Sequence, residues 1–412
     1  MDKSEQVTIK PAPSGQAGLR ILLIVNLPWD ARLGAVRVFM ELAEAWRSAG
    51  HTVEMFSLSD AFPGRAASPA MVAIRQALFG YKAAAFVRKN ANRFDLIDAL
   101  IGSLHGSKKT LGFAGLLIAR SVGLYRLYDR FEQEARVRWP HSDGRMAGRI
   151  LYTFVGWWSR RTADAAVRHA DLVNVPNNEE EACLRAEVDP HLAVTVQPYG
   201  LSRERREALA ASAAPSARRL AARKICFVGM WAPRKGSRDW AQLVRYVWNR
   251  VPEARFSFLG TMVEQHAIFS DLGLQPSAKI ECVGQYSQED LPALLADCTA
   301  GAFPSYVEGF GIAVLEQMAA GVPTVAFAVP GPRDILGAEF SRLLVPVGDV
   351  DKFGETLIDL LECDPAAFEQ LSARSRERVL SFNWADIAQK TAEVYRAQLA
   401  ALERKQPIPV HA

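Results

Sequence analysis

Apolar residues in this 412-residue chain fall in short continuous runs, separated by turn residues and by longer stretches of helical spacing. The first run, Arg20 to Asn26 (RILLIVN), predicts a central parallel strand buried on both faces. A loop with Pro28 and Gly34 follows. Val36 to Ala49 then places Val36, Phe39, Met40, Leu42, Ala43 and Trp46 at helical spacing, and Gly50 ends that helix. Thr52 to Ser57 alternates like a second strand, which closes a strand, helix, strand unit of Rossmann type. Phe94 to Ile101 and Ala170 to Pro176 predict further strands of the same lobe.

An Ala/Ser/Arg mixture from Ser202 to Arg223 is the one marked composition shift inside the chain, and it predicts a domain boundary. The pattern then restarts. Lys224 to Gly229, Arg255 to Gly260, Ile280 to Gly284, Ala300 to Pro304 and Thr324 to Ala328 each read as a buried strand that ends at or near a turn residue. The fold class is therefore α/β, with two doubly wound Rossmann-like lobes facing across a cleft. The expected organisation is a loose tail (1–18), a first lobe (19–201), a linker (202–222), a second lobe (223–383), a final helix (384–402) and a second tail (403–412). In such sheets ligands sit beyond the carboxyl ends of the strands, so the loops after Gly229, Gly284 and Pro304 are expected to line the cleft.

Composition adds little to this and charge adds more. With 49% hydrophobic and 23% charged residues the chain is globular in character. Its longest apolar stretches, such as Leu111 to Ala119 and Ile150 to Trp158, are about half of the roughly 20 residues that span a bilayer. Met1 to Gly18 lacks the apolar core of a signal peptide. The five cysteines are scattered, without metal-ligand spacing, as expected for reduced thiols in a cytosol. Net charge is +4, but residues 1–220 hold 30 Lys and Arg against 22 Asp and Glu, leaving 19 against 23 for the remainder. From Ala61 to Phe94 no carboxylate offsets Arg65, Arg75, Lys82, Arg88, Lys89 and Arg93. This face is either solvated or turned toward an anionic acceptor or membrane surface. The aromatic run Tyr152, Phe154, Trp157 and Trp158, flanked by Arg149, Arg160 and Arg161, reads first as a core helix and second as a membrane seat.

The segment Phe303 to Asp334 (FPSYVEGFGIAVLEQMAAGVPTVAFAVPGPRD) carries the chemistry. A strand ends at Pro304, a loop holds Glu308, Gly309, Phe310 and Gly311, and a helix begins near Ile312 and stops at Gly321. Free amides at a helix start and the positive end of its dipole bind anions, and glycines let a phosphate approach. Glu308 lies in the loop and Glu316 about one turn into the helix, so the two cannot touch the same atom. Carboxylates in a phosphate-binding segment need hydroxyl partners, and a nucleotide sugar supplies them on its ribose and its sugar.

At these residues the sequence resembles the family 4 retaining glycosyltransferases of GT-B fold, known also as glycosyltransferase group 1. The resemblance rests on EGFGIAVLE with its two glutamates, on MAAGVPTVA, and on the Pro330, Gly331 turn; it extends more weakly over the chain. It implies that Glu316 holds the ribose, that Glu308 lies beside the donor sugar, and that the backbone of Gly309, Phe310, Gly311 and Ile312 holds the pyrophosphate. It also implies that Lys235, with Arg234, neutralises the departing phosphate, that Gly34 lets the first loop approach, that Tyr286 lies beside the base, and that His105 faces the donor sugar. No metal or other cofactor is implied, and no Asp-x-Asp element lies in the segment Phe303 to Asp334 to hold an ion on the pyrophosphate. Two positions depart from the family pattern. Met230 stands where many members have Arg, and Ala35 where many have a second glycine.

The resulting expectation is a metal-independent retaining enzyme of polysaccharide biosynthesis. It would be cytoplasmic or peripheral at the inner membrane face, with a UDP- or GDP-sugar donor, a glycan or lipid-linked acceptor, and no nucleic acid as partner. A sugar-nucleotide epimerase and a non-catalytic sugar-nucleotide-binding subunit are the alternatives. An NAD dehydrogenase is disfavoured because the first loop lacks GxGxxG.

Overall fold

The computed structural model describes residues 18–30, 33–64, 66, 68–139 and 149–405. It contains two six-stranded sheets, parallel throughout. The first is built from β1 (Arg20–Val25), β2 (Thr52–Ser57), β3 (Leu96–Leu100), β4 (Leu116–Arg120), β5 (Leu172–Val175) and β6 (Val194–Val196), in the order β2-β1-β3-β4-β5-β6. The second is built from β7 (Lys224–Val228), β8 (Arg255–Leu259), β9 (Ile280–Val283), β10 (Ala300–Phe303), β11 (Thr324–Phe327) and β12 (Leu344–Val345), in the order β12-β11-β10-β7-β8-β9. The central strands are buried along almost their whole length, as parallel strands covered by helices on both faces must be.

Three strands escaped the sequence reading for a physical reason. β4 lies inside a longer apolar stretch, and β6 and β12, of three and two residues, sit at sheet edges with too few apolar positions to show a period. The expected linker is folded. Residues Arg203–Ala211 and Ser216–Ala222 form two helices whose Leu209 and Arg219 are buried. The Arg219 guanidinium donates to the carbonyls of Cys298 and Gly321, which fixes the second helix to the second lobe.

The final helix, Trp384–Lys405, runs three residues beyond its expected end at residue 402 and packs on the first-lobe helix Gly34–Ser48. Trp46 Nε1 donates to the carbonyl of Ala388 at 3.0 Å. Tyr395 is anchored in the interior of the first lobe. Its hydroxyl donates to Asp98 at 2.7 Å and accepts from Arg120 at 2.7 Å, while Arg120 and Asp98 form a buried ion pair. The five cysteines are free. No described helix is long and apolar enough to cross a membrane. His141, the tails 1–17 and 406–412, and the side chains of Tyr152, Phe154 and Trp157 lie outside the described residues.

Candidate functional site

The second sheet changes direction of growth between β7 and β10, and such a switch point opens a crevice at the strands' carboxyl ends. The turn after β7 and the loop after β10 flank that crevice. A cleft of about 520 Å³ lies there, closed on the opposite side by first-lobe residues Leu33, Gly34, Ala35, Arg37, Val38, Val122, Gly123 and Tyr128.

Glycine sets the close approaches at two points. A Cβ on Gly236 would lie 2.3 Å from the Pro304 carbonyl oxygen, so only glycine lets the short 3-10 turn Pro233–Lys235 seat on the end of β10. That contact carries Lys235 to Glu308. Their side chains form an ion pair that is largely shielded from solvent, with the ammonium 5.1 Å from the Phe303 ring centroid. Burial pushes the Lys235 ammonium below its ordinary value, against the upward pull of Glu308. A Cβ on Gly309 would meet the Val122 carbonyl oxygen at 2.5 Å, so this glycine lets the donor loop touch the first lobe. The Gly309 carbonyl accepts from Asn177 Nδ2 at 2.6 Å.

The helix Ile312–Ala319 starts at Gly311 with no side-chain cap, so its first amides point toward the cleft unclaimed by a capping side chain. Glu316, one turn in, is buried and braced from two directions. Arg37 of the first lobe reaches its Oε1 at 3.1 Å, and Arg205 of the connecting helix reaches the same oxygen at 2.8 Å and 3.2 Å. Arg37 also donates to Gln288 Oε1 at 3.0 Å. Tyr286 packs on Gly260, and burial together with the Glu316 charge pushes its phenol upward.

Of the residues singled out in the sequence, Gly34, Arg234, Lys235, Tyr286, Glu308, Phe310, Gly311, Ile312 and Glu316 all line this one cleft, and Gly309 adjoins it. Met230 and Ala35 line it as well. His105 does not. The turn after β3 folds its ring against Gly80 and Tyr81, where burial lowers its pKa, and Val122 and Gly123 after β4 hold the position facing Gly309.

Several contributors were missed because nothing local marks them. Arg37 and Arg205 meet Glu316 only through the tertiary fold. Tyr128 projects from the helix Tyr125–Arg138 to lie 5.6 Å, ring centroid to guanidinium, from Arg234 across the cleft. Beneath the Val122 loop, Glu180 is fully buried, hydrogen-bonded to Ser121 and to the Leu124 amide. Burial, reinforced by the nearby Glu308 charge, pushes its carboxyl up to about 8 even though its hydrogen bonds pull it down. Among the described residues no group of three or more His, Cys, Asp or Glu is placed to hold a metal ion.

Residues 212–378 match the family described as glycosyl transferases group 1. A D-inositol 3-phosphate glycosyltransferase of Nocardioides sp. is 34% identical over 137 residues, covering 32% of this chain and 30% of that protein. An MMP alpha-(1->4)-mannosyltransferase of Mycolicibacterium hassiacum is 35% identical over 117 residues, covering 28% of each. The chain thus matches about a third or less of the length of these relatives. Among solved structures, the sucrose-phosphate synthase of Thermosynechococcus elongatus superposes with a TM-score of 0.71 at 21% identity, over 93% of this chain and 100% of that one. Anabaena HepE in complex with UDP and glucose gives 0.61 at 16% identity, over 92% and 100%. The fold is the two-lobed GT-B architecture, and the chain resembles the group 1 glycosyltransferases.

Proposed function

From a GT-B frame whose second lobe matches the glycosyl transferases group 1, we propose that this protein is a retaining glycosyltransferase. It moves a sugar from a UDP- or GDP-sugar to a glycan or lipid-linked acceptor in the synthesis of envelope or extracellular polysaccharide. The observation that carries this reading is the Lys235–Glu308 pair set beside an uncapped helix start in the same cleft as Glu316. UDP in the complex of a structural neighbour accords with a nucleotide-sugar donor.

The nucleoside diphosphate lies along the Gly309–Ile312 backbone, with its base beside Tyr286. Arg37 and Arg205 both meet Glu316 at Oε1, and the second oxygen is the acceptor for the ribose hydroxyls. Lys235 and Arg234 neutralise the phosphate as the glycosidic bond breaks, in a site that excludes water and strengthens each charge. Glu308, released from Lys235, takes hydroxyls of the donor sugar. The acceptor hydroxyl attacks from the face the phosphate leaves, and its proton passes to the departing phosphate oxygen. The charge needed is supplied by side chains and amides, so no metal takes part. The acceptor side is the basic first lobe, at the cytoplasmic face of a membrane.

The test is transfer and donor hydrolysis by Lys235→Ala and Glu316→Ala across a panel of UDP- and GDP-sugars. Full activity of both variants with the cognate donor would sink the assignment. Conversion of the donor to an epimer in acceptor-free buffer would replace transfer with epimerisation.

A further inference from the structure

The helix Pro69–Asn90 is apolar on two opposite sides. Its inner side buries Phe79, Ala83, Ala84 and Val87 in a first-lobe core with Phe56, Phe94 and Ile97. Its outer side presents Met71, Ile74, Leu78 and Tyr81, spaced three, four and three residues apart, and therefore as one stripe. They are 40%, 51%, 47% and 54% exposed. With Val72 they make up half of the ten large hydrophobic side chains that are exposed among the described residues, all within eleven consecutive positions of one helix. Scattered exposed apolar residues need no explanation, but a contiguous stripe marks a surface that is covered in use.

The charges around the stripe identify the cover. Arg75, Lys82, Arg88 and Lys89 flank it, and between Ala61 and Phe94 there is no carboxylate. Among the described residues none of the four pairs with an acid. Arg75 donates to the Gly64 carbonyl, and Arg75 and Lys82 each stand 5.9 Å from the Phe62 ring centroid. A protein partner would have to bring all the compensating carboxylates around an apolar strip one helix wide. An anionic bilayer offers both layers at once, with acyl chains for the stripe and headgroups for long basic side chains that extend outward. The helix follows β2, so it starts on the carboxyl side of the sheet, where the cleft opens, and the stripe occupies that end.

We infer that the outer face of Pro69–Asn90 docks the protein on an anionic lipid surface, with Met71, Ile74, Leu78 and Tyr81 in the interface. The docking brings the mouth of the cleft to the membrane plane. It deepens the reading of the acceptor given above, yet the surface is testable without any turnover. Each basic residue near an anionic surface contributes roughly fivefold to partitioning.

The experiment is co-sedimentation of the full chain with vesicles of phosphatidylcholine alone or with 30% (about one in three) phosphatidylglycerol. Binding at least about tenfold stronger to the anionic vesicles, and weakened by high salt, is expected. Ile74→Glu/Leu78→Glu and Lys82→Glu/Lys89→Glu should each lose at least about tenfold. Because all four positions are exposed, the variants should keep the wild-type melting temperature and hydrolyse a soluble donor at the wild-type rate. Equal, negligible binding to both vesicles overturns the inference, as does binding that survives both double variants. A lipid-free dimer that Ile74→Glu/Leu78→Glu dissociates would assign the face to a second copy instead. Loss of donor hydrolysis in wild type with intact vesicle binding would strike the proposed chemistry and leave the docking standing.

Discussion

Glu308 and Glu316 lie eight positions apart in one segment, and the fold treats them in opposite ways. Among the described residues Glu308 has a single counter-ion, Lys235, supplied by the same lobe through the turn seated on Pro304. Glu316 has two, and they come from elsewhere: Arg37 from the first lobe and Arg205 from the connecting helix. The first pair can be opened by a ligand without moving any backbone, because both partners follow adjacent central strands, β7 and β10, of one sheet. The second is a brace across three segments, so the state of its carboxylate depends on how the two lobes meet. Carboxylates close in sequence thus divide into a local pair suited to chemistry and a long-range node suited to binding and lobe geometry.

The largest effect expected from this division is on turnover. Glu308→Gln should lower kcat by about 100-fold to 1000-fold with little change in nucleotide affinity, as for removal of one preorganised polar contact to a transition state. Steady-state kinetics with titration of the free nucleoside diphosphate checks it, and a loss of binding with normal turnover would reverse the roles given to the two glutamates. Next is stability. Glu316→Ala leaves two shielded guanidinium groups without their carboxylate and should cost roughly 3 kcal/mol in denaturant unfolding. Nucleotide affinity should fall with it.

Arg37→Ala removes only the first-lobe arm of the brace. Global stability should change by about 1 kcal/mol or less, since Arg205 remains. Nucleotide affinity should stay within about twofold, because Arg37 holds Oε1 and the ribose takes the second oxygen. A fall in affinity, read by calorimetry, would show that Arg37 touches the ligand itself.

The last expectation concerns pH and Glu180, which neighbours Glu308 and not Glu316. A carboxyl raised to about 8 in the folded state binds a proton that the unfolded chain has already lost. Its contribution is therefore fully present below the ordinary carboxyl range and lost as pH rises through about 8. Melting temperatures of wild type and Glu180→Gln should diverge in favour of the variant between pH 5 and about 8, then run parallel. A constant gap across that range contradicts the burial argument.

How much of this was legible in the sequence follows from the range of the forces involved. Strands such as β1 and β7 are buried on both faces, so their composition alone marks them. The helix stop at Gly321 and the glycine-rich turn before Ile312 are likewise local. Arg205 was invisible because it sits among other arginines in an alanine-rich stretch, and only packing selects the one that meets Glu316, 111 residues away. His105 misled for the converse reason. Its turn has the expected local form after a strand, but the neighbouring strand, β4, delivers Val122 and Gly123 to the cleft. The outer stripe of Pro69–Asn90 was hidden because apolar residues on both sides of a helix cancel the periodic signal, and only its missing carboxylates could be seen.

The anchoring of Tyr395 between Asp98 and Arg120 bears on how the protein is made. The polar interior of the first lobe is closed by residues from the final helix, so a nascent chain emerging from the ribosome cannot complete that lobe when its sixth strand appears. Asp98 and Arg120, already paired with each other, wait for the Tyr395 hydroxyl, and the indole of Trp46 waits for the Ala388 carbonyl, until the whole second lobe has been synthesised. The lobe that is first in sequence is finished last.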